Sequence, residues 1–287
     1  MIYISSSCVE AENIIDAIDI LSKAGIKNIE LSGGTKYLDN LEEKLLEIVK
    51  KNKLTVRIHN YFPPPEKDFV INIASQNKLV LESSLKHCLN SIQLSKKLGA
   101  KEYSVHAGFL LDPGIKEIGL KNDLKVNTKL YDQTSSEQTM FRSLRILEKE
   151  AGRNFKIYLE NNVLSYSNYK KYKNNPFLLT TKEDYLNLKK KVNINFLLDV
   201  AHLRVSCNSL GKNYKKELDF LFDQSDYIHL SGNNSLEDSN ESIKRDKEVL
   251  KILKTKKIKN KSFTIEVYRN LEEVLDEYTY LNKLIYS

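Results

Sequence analysis

Residues that bind metals or move protons recur at the ends of short apolar segments of this chain. They are Glu30, His59, His106, Glu160, Asp199, His229 and Glu266. His202 follows three residues after Asp199, in the segment LLDVAHL, so four of the five histidines lie at or near such ends. Imidazoles and carboxylates together are typical ligands of Zn²⁺, Mn²⁺ and Co²⁺. Their recurrence raises the question of whether the fold brings them to one place.

Short apolar segments alternate with longer amphipathic ones along the chain. The predicted strands are residues 2–5, 28–32, 54–59, 102–107, 155–160, 194–199, 226–231 and 262–267. The intervening segment 11–25 has a helical period, with Ile14, Ile15, Ile18 and Leu21 on one face and Gly25 as its end. The C-terminal segment LEEVLDEYTYLNKLIY completes the series as the predicted eighth helix.

Eight strand–helix units predict an α/β fold, a (β/α)8 TIM barrel that forms a single domain over residues 1–287. The competing open, doubly wound sheet usually has a glycine-rich phosphate turn after its first strand, and this chain has SSSCVEAEN there. In a barrel, residues at successive strand ends project toward one central point. The long segments 60–77, 108–132 and 161–180 would surround that point.

Clustered carboxylates would repel one another and would be costly to bury, and a divalent cation removes that conflict. A single acidic residue or histidine at a strand end is more often a loop anchor. Four such residues at four consecutive strand ends, Glu160, Asp199, His229 and Glu266, favour a metal site instead. Glu30 stays open between binding substrate, capping a loop and helping to hold the metal.

Composition sets broader limits on function. The chain has 287 residues, of which 41% are hydrophobic, and a formal charge of +7. The lysine-rich runs lack interleaved aromatic residues, so nucleic acid is the less favoured partner. Three cysteines without paired spacing indicate free thiols. With no signal-like or membrane-spanning segment, we expect a cytoplasmic protein without a membrane partner.

Five segments in order, VHAG, YLENN, LLDVAHL, YIHLS and TIEV, resemble the xylose isomerase-like barrel superfamily. That superfamily includes endonuclease IV, sugar-phosphate isomerases and ketose 3-epimerases. The resemblance to the isomerase and epimerase branch implies that Glu160, Asp199, His229 and Glu266 bind one divalent metal. It also implies that His202 contacts substrate oxygens.

The resemblance to the endonuclease branch implies a different use of the histidines. His59 and His106 would bind additional zinc ions, with His202 joining them. Two features depart from the family pattern. Gly232 stands where members commonly have an aspartate, and no histidine follows His229 to complete the Asp-x-His pair of a third zinc site.

The resulting prediction is a metal-dependent isomerase or epimerase that acts on a sugar or sugar-phosphate-like substrate through an enediolate intermediate. Its cofactor would be Mn²⁺, Zn²⁺ or Co²⁺. The predicted roles are as follows: catalysis by Glu160, Glu266 and His202, and substrate binding by His59, His106, Glu30 and Arg204. Arg204 is equally consistent with an exposed loop charge. The alternatives are an endonuclease IV-like phosphodiesterase acting on damaged DNA and a non-catalytic sugar-binding barrel.

Overall fold

Eight parallel strands pair in sequence order into a closed barrel in the computed structural model, which describes residues 1–117, 124 and 129–286. The strands are β1 (Ile2–Ser5), β2 (Asn28–Leu31), β3 (Thr55–His59), β4 (Glu102–His106), β5 (Lys156–Glu160), β6 (Asn195–Asp199), β7 (Tyr227–Leu230) and β8 (Ser262–Ile265). Pairing of β8 with β1 closes the ring. The predicted (β/α)8 TIM barrel is confirmed, and the strand ends differ from the prediction by one or two residues. Glu266 consequently lies one residue beyond β8.

Helices surround the barrel, and the described part of the chain contains ten of them. They are α1 (Ile14–Lys23), α2 (Leu41–Asn52), α3 (Lys78–Lys97), α4 (Gln133–Ala151), α5 (Tyr166–Tyr172), α6 (Lys182–Lys189), α7 (Val200–Ser209), α8 (Tyr214–Gln224), α9 (Lys247–Thr255) and α10 (Leu271–Tyr286). Within the described residues, none of these helices combines the length and apolar character that crossing a membrane requires.

The prediction of eight helices was wrong because β5 and β6 are each followed by two. The C-terminal helix is therefore the tenth. Local capping explains both additions. The Ser165 side chain accepts from the backbone N–H of Asn168 and starts α5, and the Asn213 side chain accepts from the backbone N–H of Lys216 and starts α8. Gly211, at a φ of +64°, lets the chain turn between α7 and α8.

Helix α1 shows how sequence produces the outer layer. Its N-cap, Asn13, accepts from the backbone N–H groups of Ile15 and Asp16, and Gly25 follows its end at a φ of +88°. The predicted apolar face is buried at Ile14, Ile18 and Leu21, whereas Ile15 is only partly buried. Removing one such side chain to alanine would cost about 2–5 kcal/mol.

Strand register places the polar side chains of the barrel in layers. His106 pairs with Glu160, and Asp199 pairs with His229. Paired residues of neighbouring strands project to the same side of the sheet, so these side chains meet inside the barrel near its carboxyl end. Glu30 pairs with Arg57 in another part of the ring.

Two long loops are joined by one buried asparagine, Asn72. Its Nδ2 donates to the backbone oxygens of Phe109 and Leu111, and its Oδ1 accepts from the backbone N–H of Ala74 and Phe109. Asn162 ties the third loop to the same region by donating to the backbone oxygens of Ala107 and Leu178. The described rim around the strand ends is thus held by side-chain hydrogen bonds to backbone groups.

Candidate metal centre

A cavity of about 470 Å³ lies at the carboxyl ends of the strands. Its lining includes five of the predicted site residues: His59, His106, Glu160, His202 and Glu266. Asp199 and His229 are fully buried and contact these residues from behind the cavity surface. The barrel therefore gathers seven titratable side chains that are separated by up to two hundred residues in sequence.

A first group of ligand atoms surrounds Nδ1 of His229. This nitrogen lies 3.7 Å from Oε1 of Glu160, 3.8 Å from Oδ2 of Asp199 and 3.2 Å from Oε2 of Glu266. Four ligands arranged tetrahedrally at about 2.0–2.2 Å from one ion would stand about 3.3–3.6 Å apart. Ligand atoms of Glu160, Asp199 and His229 lie within 4.8 Å of one another, close to such spacings, whereas Glu266 approaches the group through His229. The role of all four residues as ligands remains a prediction.

A second group adjoins the first and shares Glu160 with it. The Nε2 atoms of His59 and His106 lie 3.3 and 3.6 Å from Oε2 of Glu160. One ligand atom from each of these three residues lies within 4.8 Å of the others. The two oxygens of Glu160 thus face different groups, so this residue would contribute to holding an ion in either one.

Four ligand atoms of these groups have no hydrogen-bond partner in the described structure, as expected of atoms that bind a cation. Both oxygens of Glu160, Oδ2 of Asp199 and Nδ1 of His229 are buried without a hydrogen bond. Leaving such a group unsatisfied costs roughly 1–3 kcal/mol, and more when it is charged. A divalent ion in the first group would satisfy Oε1 of Glu160, Oδ2 of Asp199 and Nδ1 of His229 together, so the residues present fit the predicted cofactor.

Neighbouring groups orient two of the imidazole rings. Nε2 of His229 lies 3.1 Å from Oε1 of Glu30, and Nδ1 of His59 lies 2.9 Å from Oγ of Ser104. When each of these nitrogens donates its proton, the opposite nitrogen has a free lone pair directed at its ligand group. Metal-binding histidines commonly have such a partner.

Asp199 also begins α7, in addition to contributing an oxygen to the first group. Its Oδ1 accepts from the backbone N–H of His202 at 2.7 Å, which caps the helix and leaves Oδ2 for the first group. The same turn places the His202 ring at the cavity. Nδ1 of His202 lies 2.9 Å from the Asn161 backbone oxygen, and Nε2 lies 3.1 Å from Oδ2 of Asp238.

Asp238 lines the cavity, and the sequence analysis did not identify it. The segment Asp238-Ser-Asn240 has the spacing of an Asp-x-His pair, with an asparagine in place of the histidine. Asn240 also lines the cavity. The sequence does contain an acidic residue nine positions after His229. Loop residues have no periodicity, however, so the sequence does not show whether the side chain of such a residue points into the cavity.

Burial and charge give the imidazoles two different states. Burial, and then the neighbouring His229, lowers the pKa of His59 to about 4, and burial together with His202 holds the pKa of His106 well below its usual value. Both rings are therefore neutral near pH 7, the form that binds a metal. Burial disfavours the protonated form of His229, but the Glu266 and Glu30 carboxylates favour that form more strongly. The pKa of His229 is therefore raised well above its usual value.

The carboxyl group of Glu160 responds in the opposite way. Burial is the main cause that raises its pKa well above the usual range, and the carboxylates of Asp199 and Glu266 raise it further. In the absence of a metal, protons would therefore partly take the place of the cation. Metal binding and proton release are coupled at such a site.

Two predicted substrate contacts, Glu30 and Arg204, do not line the cavity. Glu30 is fully buried inside the barrel, where its partners are Arg57 and His229. One of its oxygens lies within 4.8 Å of ligand atoms of His59 and His229, so a role in holding the metal stays a prediction. Arg204 is not an exposed loop charge. It belongs to α7, and its guanidinium pairs with Asp246 at 2.9 Å and stacks over the ring of Tyr214.

Aromatic side chains form much of the remaining cavity wall. Phe109 and Phe177 meet edge to face with ring centroids 5.4 Å apart, and Tyr61 and Tyr268 also line the cavity. Among the lining residues that the structure describes, none is lysine or arginine. The described surface is thus acidic and imidazole-rich at its base and aromatic at its sides.

Comparison with solved structures shows what the fold is similar to. A D-tagatose 3-epimerase-like protein superposes with a TM-score of 0.72 at 18% identity, over 99% of this chain and 96% of the other. The 3-keto-D-glucoside 4-epimerase of E. coli gives 0.65 at 15% identity, over 98% of both chains. Endonuclease IV from Thermus thermophilus gives 0.63 at 14% identity, over 99% of this chain and 98% of the other.

These structures include epimerases and an endonuclease, and at such identities they show the fold alone. A search of curated protein sequences gave no match. The family model described as xylose isomerase-like TIM barrel matches residues 18–284. The chain therefore belongs to the xylose isomerase-like TIM barrel family.

Proposed function

We propose that this protein is a metal-dependent isomerase or epimerase that acts on a sugar or sugar derivative. One observation carries the proposal. Glu160 and Glu266 both border the cavity and both approach Nδ1 of His229, at 3.7 and 3.2 Å. Both carboxylates would stand beside an ion bound near His229 and would face a substrate held in the cavity.

The residues of the site have separate roles in this reaction. Glu160 or Glu266 removes the proton next to the substrate carbonyl, and the other returns a proton to the resulting enediolate. A bound Mn²⁺, Zn²⁺ or Co²⁺ would supply Lewis-acid stabilisation of the negative charge on the substrate oxygens. His202 and His106 hold those oxygens by hydrogen bonds, and the buried setting excludes competing water.

The cavity supports a small substrate. Its volume of about 470 Å³ lies within the usual range of about 300–1,000 Å³ for small-molecule sites. Its described lining has aromatic faces for the apolar side of a sugar ring and no cationic side chain for a phosphate chain. Binding of a polyanion would depend on such cations.

The proposal is tested by hydrogen exchange in D₂O. The protein, loaded with Mn²⁺, Zn²⁺ or Co²⁺, is incubated with a panel of ketoses and aldoses, and loss of the C–H signal next to the carbonyl is followed by proton NMR. We expect exchange with at least one sugar, and we expect Glu160→Gln and Glu266→Gln to abolish it. Glu183→Gln changes an exposed glutamate by the same chemistry and would retain it. Metal-loaded protein that exchanges no sugar proton would refute the proposal.

Phosphodiester hydrolysis is the second candidate, favoured by the second ligand group. His59, His106 and Glu160 would hold another ion beside the first, and paired ions are common in nucleases and phosphatases. Cleavage of an abasic-site duplex that stops on addition of a chelator would favour this function over the isomerase. His59→Asn together with His106→Asn would then reduce the bound metal from two equivalents to one and abolish cleavage.

A further inference from the structure

Arg57, in the middle of β3, is fully buried inside the barrel and has no part in the proposed reaction. Its guanidinium carbon lies 3.9 Å from the ring centroid of Tyr3 and 3.6 Å from that of Tyr227. An arginine is costly to bury, so such a position requires partners for every donor. The arrangement of those partners shows what the residue does.

The donors of Arg57 are divided between two carboxylates and two hydroxyls. Nε donates to Oε2 of Glu30 at 2.9 Å, and Nη1 donates to Oε1 of Glu102 and to Oγ of Ser262, both at 3.1 Å. Nη2 donates to Oγ1 of Thr264. Glu102 is partly exposed at the edge of the network, whereas Glu30 is fully buried between Arg57 and the metal centre.

The two oxygens of Glu30 have different partners. Oε2 accepts from Arg57, from the Tyr227 hydroxyl and from Oγ1 of Thr264, the last at 2.7 Å. Oε1 faces Nε2 of His229 at 3.1 Å. Three donors on one oxygen fix the plane of this carboxylate, so its other oxygen remains an acceptor aimed at the imidazole. Nδ1 of His229, on the far side of the ring, then points into the first ligand group.

We propose that Arg57 is a positioning residue for the metal centre, which acts through Glu30 to hold the His229 ring with Nδ1 directed at the ion. This inference depends on the metal site of the proposed function but not on the reaction catalysed there. Partners of this kind typically change metal affinity about 10–100-fold when they are altered. The alternative is that Arg57 only fills the barrel interior, in which case its loss would lower stability without a specific effect on the metal.

Three variants distinguish these roles. Arg57→Lys keeps the charge but loses the planar fork that reaches Glu30 and Thr264 together. Glu30→Gln keeps the shape of the side chain but replaces one carboxylate oxygen by an amide NH₂ group. That group would face either the donors Arg57, Tyr227 and Thr264 or the ring of His229. Glu102→Gln is the matched control, because it removes the other carboxylate partner of Arg57 and leaves the contacts of Glu30 in place.

The measurement is the Zn²⁺ dissociation constant by chelator competition, with the visible spectrum of the Co²⁺-loaded protein as a report on ligand geometry. We expect Arg57→Lys and Glu30→Gln each to weaken binding at least tenfold and to alter the Co²⁺ spectrum. Glu102→Gln should stay within about threefold of the wild type. The double variant with both Arg57→Lys and Glu30→Gln should bind Zn²⁺ no more weakly than the weaker-binding of the two single variants, since both changes act through one contact.

Wild-type affinity in folded Glu30→Gln and Arg57→Lys proteins would overturn the inference, as would an equal loss in Glu102→Gln. If Arg57→Lys does not fold, Glu30→Gln decides the question by the same criterion. Wild-type protein that binds Zn²⁺ with the expected variant pattern but turns over no sugar would refute only the proposed function. Wild-type protein that binds no metal would refute both.

Discussion

Replacing Glu160 by glutamine should weaken metal binding more than any other isosteric change at the site, because both ligand groups share this residue. Complete structural zinc sites contribute about 10–16 kcal/mol, or about 2.5–4 kcal/mol for each of four ligands. At about 1.4 kcal/mol per tenfold change, Glu160→Gln should weaken Zn²⁺ binding about 100-fold or more. The amide also leaves His59 and His229 without the charge they face.

Thermal unfolding with and without zinc measures this loss. At a zinc concentration of about 1,000 times the wild-type Kd, binding stabilises the wild type by about 4.1 kcal/mol, and a site weakened about 100-fold gains about 1.4 kcal/mol. For a chain of this size, each kcal/mol raises Tm by about 2–4 °C. Zinc should therefore raise Tm by about 8–16 °C in the wild type and by about 3–6 °C in the variant. Equal shifts in both proteins, or the same reduction in Glu183→Gln, would refute the assignment of Glu160 as a shared ligand.

Three further predictions concern individual residues. Asp199→Asn should weaken zinc binding but keep α7 capped. Asp199→Ala should also lower the free energy of unfolding, measured in urea, by about 1 kcal/mol, because the backbone N–H of His202 loses its acceptor. Gly108→Ala should lower Tm, because the new Cβ would lie 2.2 Å from Cβ and 2.9 Å from the backbone nitrogen of Ala74. A Tm equal to that of the wild type would contradict this steric explanation. Burial lowers the pKa of His87 to about 4, below its unfolded value of about 6.5. Protonation of this ring therefore favours the unfolded state. The free energy of unfolding should fall by about 2–3 kcal/mol as the pH drops from about 6.5 to about 4.5. His87→Leu should remove that part of the decrease in urea unfolding, and an unchanged pH dependence would contradict it.

Sequence reasoning predicted which side chains come together at the cavity, because barrel geometry relates position on a strand to position in space. An apolar run that ends on a polar residue predicts both the strand and the point to which that residue projects. Arg57 was missed although the signal was present, since the alternation that directs His59 inward also directs the residue two positions before it. Its role depends on Glu30 and Tyr227, which belong to other strands, and the spacing along one strand does not show which neighbours a side chain meets.

The extra helices and the placement of Arg204 were missed for a different reason. Helix α5 has only seven residues, too few for a clear period, and its start depends on one serine cap. Arg204 follows the metal-site segment in sequence, but α7 begins at Asp199 and turns the arginine toward Asp246. Proximity in sequence to a strand end therefore predicts proximity to the cavity only for the first turn of the following helix.

The barrel interior contains two kinds of acidic layer, and the difference between them supports the proposed position of the cation. The lower carboxylate, Glu30, accepts from Arg57, Tyr227 and Thr264, so the chain itself supplies all the compensation it requires. The carboxylates above it at Glu160 and Asp199 retain buried oxygens without a donor. The same fold could have placed a second arginine in the upper layer, and that would have stabilised the metal-free protein. The upper layer thus keeps buried oxygens that a bound divalent ion would compensate, and this contrast is the structural basis for proposing a metal site there.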